Sequence, residues 1–489
     1  MENFKYYKHL GFNNPYYIKN EKPFIIRKNY TNILNEFKGE LKIDPVSVIE
    51  LLSKNYIFAD RTIIDGIYRT PWYARPNKDL TQWVYSQPPT HDKKLISEEE
   101  IAKVLFERIC NEIEIYIGNK RNIGILLSGG MDSRMLAGAI DFLIKTGRLH
   151  SINVTSLTWG NVGSRDVVYA KEISSRLGWR WKHYTVDTKA LRANIYETVT
   201  HGCEYSPIHL HAIPQIRDDN NLDVILAGSY GDSVGRAEYS GRKVTSLKPI
   251  NSTIRNVAGI IKSNVYKMCL NDIKEDIQSY HRLFPAKERY MQNEMDYELH
   301  YMRRMLNPCM ELLTDKSEFH QVFTSPEVFG FMWSIDPVKR TDWVYSHMMK
   351  EFKTDLSDIP WARTGLPYMA KEGIPDNYSA KHHSYTDIIN YDLMEELAEI
   401  IFSGHLEQSG LFDMNNINLL ISLIKKHPLN QIHFVEKIIW LACLSLFLKS
   451  NDIVQKPNNH IDNKKRTVNS KTWLLYSEYF FVKMRNLVK

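Results

Sequence analysis

The chain contains the stretch Leu127-Ser128-Gly129-Gly130-Met131-Asp132-Ser133 between an apolar run and a segment of helical periodicity. Residues 123–127 predict a β-strand, and residues 133–145 predict an α-helix that ends at Gly147. The two glycines let the backbone turn tightly, so that its N–H groups and the positive end of the helix point to one place. The hydroxyl groups of Ser128 and Ser133 add further donors. The loop therefore predicts a binding site for pyrophosphate or a similar anion.

Asp132 in this loop indicates a metal ion. A carboxylate beside phosphates is unfavourable unless a divalent cation lies between them, so its presence favours magnesium held on carboxylate and phosphate oxygens. A Walker-type loop is a poor match because it needs a Gly-Lys-Ser/Thr ending, whereas Arg134 follows the serine here. The simpler alternative is a Gly-Gly turn with a serine cap and no ligand.

Apolar runs alternate with helical stretches on the carboxyl-terminal side of this loop. Further strands are predicted at residues 152–159, 182–186 and 224–227, and a further helix at 166–177. Strands that alternate with helices of this length form right-handed βαβ units. The predicted fold class is therefore α/β, with a parallel sheet that is covered by helices on both faces.

The sequence divides into three regions. Residues 1–92 mix short apolar runs with turn signals such as Asp65-Gly66, and they predict a short β-rich region. Residues 93–450 hold the α/β pattern, which opens with a capping box of Ser97 and Glu100 and gives way to helical periodicity beyond about residue 250. Residues 451–489 form a basic tail, for which a solvated or membrane-surface helix is the simplest interpretation.

Composition excludes several classes of protein. Of the 489 residues, 43% are apolar and 25% are charged, which argues against a disordered or collagen-like chain. The net charge of +6 comes from scattered basic residues, so no nucleic-acid partner is predicted. No secretory signal is expected at the start, and the apolar run 438–448 is too short to cross a membrane and predicts a buried helix. Five cysteines without a C-x-x-C pair favour reduced, buried thiols in the cytoplasm and no zinc or iron–sulfur site.

Two motifs carry a resemblance to a known family. Residues 128–133 resemble the phosphate loop of the N-type ATP pyrophosphatases, which reads S-G-G-x-D-S. Residues 224–233 are similar to the second signature of the branch that holds class B asparagine synthetase and β-lactam synthetase, an apolar strand followed by G-x-G-x-D-E. Weaker similarity to this branch lies at 164–173, 325–328 and 359–361. The resemblance covers about residues 95 to 450 and implies the adenine nucleotide alpha hydrolase-like fold.

The resemblance implies the site residues and the reaction. ATP and Mg²⁺ are the implied cofactors. The implied reaction is attack of a carboxylate on the α-phosphorus of ATP, followed by capture of the acyl-adenylate by ammonia or an amine, as in amino-acid biosynthesis. Asp132, Asp232 and Arg363 are the implied catalytic residues, with Arg363 as the cation where the branch has a lysine. Ser128, Gly129, Gly130, Asp132 and Ser133 would hold the phosphates, Leu157 and Gly228 would line the nucleoside pocket, and Asp132 and Asp232 would share the metal.

The sequence departs from this branch at several positions. Glu2 stands where glutamine-hydrolysing members have a cysteine nucleophile, so no glutaminase activity is expected. Residues 55–72 resemble the end of the glutaminase domain and suggest a degenerate remnant. Ser229 and Ser233 replace glutamates of the second signature. His209 and His211 precede the fourth predicted strand, and solvated or core histidines are the simplest interpretation; contact with the acceptor substrate is an alternative, and a metal pair would lack a third ligand.

Two functions from different classes therefore remain open. The first is an ATP-dependent, AMP-forming ligase that joins a carboxylate to ammonia or an amine, and a separate amidotransferase is one source of that nitrogen. The carboxylate could be aspartate, a uronic acid of a surface polysaccharide or a peptide side chain. The second is a nucleotide-binding pseudoenzyme of the same fold that acts as a regulatory or assembly partner. A homodimer is compatible with either function.

Overall fold

The computed structural model describes residues 14–219, 221–239, 241–428, 432–453, 475–477 and 479–481. Most of the predicted basic tail, 451–489, lies outside the described residues. The strands are β1 Tyr16–Ile18, β2 Ile26–Arg27, β3 Ile67–Arg69, β4 Ala74–Pro76, β5 Trp83–Tyr85, β6 Asn122–Leu126, β7 Asn153–Trp159, β8 Arg180–Tyr184, β9 Val224–Ala227, β10 Glu238–Tyr239, β11 Arg242–Lys243 and β12 Glu318–Gln321.

Helices make up most of the remaining structure. The α-helices are α1 Tyr30–Glu36, α2 Pro45–Lys54, α3 Glu98–Ile117, α4 Met131–Lys145, α5 Arg165–Arg176, α6 Thr188–Thr200, α7 Ile213–Asp218, α8 Gly231–Arg236, α9 Ser263–Leu283, α10 Arg289–Asp296, α11 Asn307–Met310, α12 Pro326–Trp333, α13 Asp342–Met348, α14 Tyr385–Asp387, α15 Met394–Ile401, α16 His405–Gln408, α17 Met414–Lys426 and α18 Ile432–Ser450. Two π-helices span Tyr297–Leu306 and Ile388–Leu393. The 3₁₀ turns are Pro207–Leu210, Val244–Ser246, Ile250–Thr253, Val257–Gly259, Glu311–Asp315, Val322–Thr324, Pro337–Lys339 and Met349–Glu351.

A five-stranded parallel sheet in the order β12-β9-β6-β7-β8 forms the centre of the fold. Residues along the central strands β6 and β9 alternate between two hydrophobic clusters: Ile125 packs on one face, and Leu126 on the other. Helices therefore cover both faces, and the predicted α/β class is confirmed. The four predicted strands are present, although the third begins at Arg180 instead of residue 182.

The fifth strand, β12, was not predicted from the sequence. It has only four residues, Glu318–Gln321, two of which are histidine and glutamine, and it lies at the edge of the sheet beside β9. A strand this short and polar has no clear alternation to distinguish it from a loop. Its pairing with the buried strand β9 is what makes it a strand.

Local sequence explains where the helices beside the phosphate loop begin. The Ser97 hydroxyl accepts a hydrogen bond from the Glu100 backbone N–H at 3.1 Å, so the serine half of the predicted capping box is present at the start of α3. Helix α4 begins directly after Gly130, and its apolar residues Met135, Leu136 and Ile140 are fully buried. The loop is therefore held between a buried strand and a buried helix.

The region before residue 93 contains both strands and helices. β2, β1 and β3 form one antiparallel sheet, and β4 pairs with β5, as the β-rich interpretation predicts. Helices α1 and α2 were not predicted; the sequence of α2 contains β-branched residues and is too short for a clear helical period. Side chains from this region pack in one hydrophobic cluster with α18.

The helical half is built around α18, which is buried almost throughout its length. The predicted buried helix at 438–448 is thus confirmed. Over the part of the chain described here, no helix has the length and apolar character needed to cross a membrane. All five cysteines are buried and unpaired, as the sequence predicts.

Candidate active site

The phosphate loop joins the carboxyl end of β6 to the start of α4, and its two serines hold its shape. The Ser128 hydroxyl accepts a hydrogen bond from the Gly130 N–H at 3.1 Å. The Ser133 hydroxyl accepts from the Ser128 N–H at 3.2 Å and lies 3.3 Å from the Ser128 hydroxyl. The loop is therefore ordered by its own side chains beside the positive end of α4.

A cavity of about 300 Å³ opens directly above this loop. It lies at the carboxyl ends of β6 and β9, where open α/β sheets bind their ligands. The lining consists of Leu126, Leu127, Ser128, Gly130, Asp132, Ser133, Trp159, Asp166, His211, Gly228, Ser229, Met310 and His382.

The two sequence motifs touch each other at Asp132. A β-carbon at Gly231 would lie 2.5 Å from Asp132 Cγ, and one at Gly228 would lie 2.9 Å from the Asp132 carbonyl oxygen. Any larger residue would displace the aspartate, so both positions need glycine for close approach. Residues 228–231 of the second motif thus pack directly against Asp132, the residue proposed to bind the metal ion.

Asp132 occupies a site that suits a cation. Its Oδ2 atom accepts a hydrogen bond from the Asp232 backbone N–H at 3.0 Å, whereas Oδ1 is buried without a hydrogen-bond partner. Burial, and after it the negative charge of Asp232, raises the pKa of the Asp132 carboxyl well above its usual value. A buried, unpaired carboxylate oxygen beside a second carboxylate fits Mg²⁺, a hard cation that prefers oxygen ligands.

Two arginines neutralise Asp232. Arg236 donates to Asp232 Oδ1 and, at 2.5 Å, to Asp342. Arg363 donates to Asp232 Oδ2 at 3.0 Å and to Glu238 at 2.6 Å. Each oxygen of the Asp232 carboxylate therefore accepts a hydrogen bond from a guanidinium group. A metal ion bound to Asp232 would share this carboxylate with the two arginines.

The structure brings most of the sequence-predicted site residues together. Ser128, Gly130, Asp132, Ser133 and Gly228 line the cavity, and Gly129 lies within the loop. Asp232 and Arg363 are outside the lining but are joined to Asp132 through the contacts above.

Leu157 does not lie in this cavity. Its side chain is fully buried in the cluster behind the sheet, and its carbonyl accepts from the Leu127 N–H at 3.0 Å. Trp159, two residues further along the same face of β7, lines the cavity instead.

Sequence reasoning did not assign a site role to six of the lining residues: Leu126, Leu127, Trp159, Asp166, Met310 and His382. Asp166 lies in the first turn of α5, after the carboxyl end of β7, a position that a site at this edge of the sheet could have suggested. Burial raises the pKa of Asp166, while His382 and the Gly129 N–H act against this. Met310 and His382 come from distant parts of the chain, and no local pattern identifies them.

The histidines near the cavity do not form a metal centre in the described part of the chain. No group of three or more His, Cys, Asp or Glu side chains there is arranged to hold a metal ion. A cation would instead need ligand oxygens from a bound phosphate in addition to the aspartates.

Part of the chain matches the model of a known family. Residues 117–304 match the family model for asparagine synthase, a range that includes the phosphate loop and the second glycine motif. The amidase chry2 of Gibberella zeae is 28% identical over 134 residues, which is 25% of this chain; the match spans only 20% of that protein's length.

Solved structures with low similarity were also found. The U34-tRNA thiolase NcsA of Methanococcus maripaludis has 11% identity and a TM-score of 0.24 over 80% of this chain and 96% of that one. The NMN synthetase of Francisella tularensis has 14% identity and a TM-score of 0.20 over 54% of this chain and 98% of that one.

Proposed function

From the asparagine synthase domain at residues 117–304, we propose that the protein is an ATP-dependent ligase that activates a carboxylate and transfers it to ammonia or an amine. The observation that carries this proposal is the contact between the two motifs, which holds the buried Asp132 carboxylate between the phosphate loop and Asp232. Ser128, Gly129, Gly130 and Ser133 would bind the phosphates of ATP. Mg²⁺ on Asp132 and Asp232 would neutralise charge on those phosphates.

The proposed reaction has two steps. In the first, a carboxylate oxygen bonds to the α-phosphorus of ATP and the bond from that phosphorus to the bridging oxygen breaks, so that pyrophosphate leaves. In the second, the neutral nitrogen attacks the acyl carbon, the bond from that carbon to the AMP oxygen breaks, AMP leaves with the former carboxylate oxygen, and the nitrogen loses one proton. The loop N–H groups, the serine hydroxyls and Arg363 stabilise the negative charge that develops on phosphate oxygens.

The test is exchange of labelled pyrophosphate into ATP in the presence of magnesium and single carboxylates, among them aspartate and uronic acids. We expect one of these carboxylates to support exchange of pyrophosphate into ATP without any added amine. Asp132→Asn should lower it by about 100-fold or more, since it removes a carboxylate that would hold Mg²⁺ against the leaving pyrophosphate. Asp272→Asn, on the exposed side of α9, is the matched control and should retain it. If no carboxylate supports pyrophosphate exchange, the proposed ligase function is contradicted.

A nucleotide-binding pseudoenzyme is the second candidate, and the contacts of Asp232 favour it. Both carboxylate oxygens are engaged by Arg236 and Arg363, and Ser229 and Ser233 stand where the resembling branch has glutamates. This candidate predicts that calorimetry detects ATP binding while no carboxylate supports pyrophosphate exchange. Carboxylate-dependent exchange would exclude it.

We further propose where the reaction takes place and how the nitrogen arrives. The five buried, unpaired cysteines suit a reducing compartment such as the cytoplasm. The nitrogen would enter as a free amine or from a separate amidotransferase, and a homodimer is the proposed assembly.

A further inference from the structure

A second cavity, of about 350 Å³, lies beside the cavity above the phosphate loop and shares His211 with it. The cavity above the loop is called the nucleotide cavity, because it is where we propose that ATP binds. We call it the acceptor chamber. It is lined by Lys54, Asn55, Ile208, His209, His211, Tyr301, Met305, His383, Tyr385, Ile432 and Glu436. Lys54 and Asn55 come from the region before residue 93, and Glu436 comes from α18, so distant parts of the chain build this chamber.

Glu436 places a negative charge in the chamber. The residue is only 3% exposed, and its Oε2 atom accepts a hydrogen bond from the Asn55 side chain at 2.8 Å. Its Oε1 atom lies 2.9 Å from Nε2 of His209, which also lines the chamber. Burial would raise the pKa of Glu436, but His209 and Lys437 outweigh it and hold the pKa below its usual value. The carboxylate is therefore charged at neutral pH.

Lys54 supplies the opposite charge in the same lining. Its ammonium group donates to the Thr253 hydroxyl at 2.6 Å, and burial lowers its pKa to about 8. It remains mostly protonated at neutral pH and has two further donor positions. A ligand with one anionic and one cationic group would satisfy Lys54 and Glu436 together, whereas a simple amine would satisfy Glu436 alone.

The wall between the chamber and the nucleotide cavity is uncharged. His211 Nδ1 lies 2.7 Å from the Tyr385 hydroxyl, and its ring stacks on Trp159. Burial, and then the neighbouring histidines, lowers the pKa of His211 well below its usual value, and burial lowers that of His383 to about 4. Neutral imidazole rings do not repel an ammonium group that moves towards the nucleotide cavity.

We infer that the acceptor chamber binds a zwitterionic primary amine of amino-acid size, with its ammonium group on Glu436 and its anionic group on Lys54. The inference rests on the proposed ligase function and names the amine of its second step. The product would then be an amide between the activated carboxylate and an amino acid, not a primary amide made from ammonia.

The first measurement is binding, which needs no catalysis. Calorimetric titration of the full chain with single L-amino acids should give saturable binding for at least one of them, and that one should bind at least about tenfold more tightly than methylamine or ammonium, because it also pairs with Lys54. Glu436→Gln and Lys54→Met should each weaken this binding by about tenfold or more. Glu395→Gln and Lys425→Met, which alter an exposed ion pair in the helical half, are the matched controls and should not change it.

The second measurement is AMP release with a carboxylate that supports pyrophosphate exchange. We expect the same amino acid to give a kcat/KM at least about tenfold above those of methylamine and ammonium. Lys54→Met should lower kcat/KM for the amino acid much more than for methylamine, since methylamine has no anionic group. A variant that is merely misfolded would lower both equally and would also lose exchange.

The two proposals fail in different ways. If exchange is absent but an amino acid binds and Glu436→Gln or Lys54→Met weakens that binding, the ligase fails and the chamber assignment stands. If exchange is present but methylamine or ammonium equals every amino acid, the chamber assignment is overturned. If Glu436→Gln does not fold, Met305→Phe provides a second test, because the larger side chain narrows the chamber. This variant should lose activity with larger amino acids more than with glycine. An equal loss with glycine and with larger amino acids would also overturn the assignment.

Discussion

At the residue scale, Asp132 depends on a neighbour that has no side chain. A β-carbon at Gly231 would lie 2.5 Å from Asp132 Cγ, so Gly231→Ala must move the carboxylate or the backbone of α8. We expect it to weaken binding of magnesium ATP by at least about tenfold and to lower the free energy of unfolding by about 1 to 3 kcal/mol. Calorimetric titration and urea unfolding measure these effects. Unchanged nucleotide affinity would show that Asp132 does not contact the bound ligand.

Glu298 is a second residue whose surroundings control its chemistry. It is fully buried, its Oε1 atom accepts from the Tyr239 hydroxyl at 2.8 Å, and burial raises its pKa to about 8 from a usual value of 4.5. Between these two values the folded protein binds a proton that the unfolded chain has lost. The stabilisation is therefore complete below about pH 4.5 and is lost as the pH rises to about 8.

Glu298→Gln should remove this pH dependence, because an amide stays neutral at every pH. From pH 5 to pH 8, the free energy of unfolding of the variant should rise relative to that of the parent protein. Urea unfolding at several pH values in this range measures the difference. A constant difference between the two proteins would mean that Glu298 does not titrate there.

At the scale of single elements, the N-cap of α3 is expected to stabilise this helix, which packs beside the central sheet. Ser97→Ala removes the hydroxyl that accepts the Glu100 N–H, and it should lower the free energy of unfolding by about 1 kcal/mol. Ser97→Asp keeps an acceptor at the same position and should restore stability. Thermal unfolding compares the three proteins; equal stability of all of them would contradict a capping role.

Elements at the carboxyl edge of the sheet position the site. The loop after β6, the start of α5 after β7 and the turn after β9 each contribute side chains to the nucleotide cavity. Because the strands are parallel, these connections meet at one edge. The same topology therefore determines both the sheet and the place of the site.

At the scale of the whole molecule, buried charges join three parts of the chain. Glu204 follows α6 and accepts from Arg304 of a π-helix at 2.8 Å and from Arg69 of β3 at 3.1 Å. All three side chains are almost completely buried. The region before residue 93 is thus tied to the sheet layer and to the helical half by one ion-pair network.

Glu204→Gln should destabilise the molecule strongly, because two buried guanidinium groups would lose their shared negative charge. We expect the free energy of unfolding to fall by about 3 to 5 kcal/mol. Glu395→Gln, which breaks an exposed ion pair, should change it by less than about 1 kcal/mol. Urea unfolding compares both variants with the parent protein, and similar small effects would show that the buried network is not needed for stability.

The sequence by itself determined the α/β class, the positions of four strands and the phosphate loop. These features depend on short-range patterns: apolar runs, helical periodicity, and glycines and serines within a few residues of one another. Ser128, Gly130, Asp132 and Ser133 were placed in the site for the same reason, whereas Gly228 was assigned to it from the resemblance. Leu157 was assigned to the pocket from the resemblance alone, and the structure buries it in the core.

Only the tertiary structure decided which distant residues complete the site. Strand β12 exists because β9 pairs with it, and Met310 and His382 reach the nucleotide cavity from far along the chain. The acceptor chamber brings Lys54 and Glu436 together across 382 residues of sequence, a separation at which no local pattern relates them. Burial, which sets the charge states of Asp132, Glu298 and His211, likewise arises from packing between elements and not from neighbouring residues.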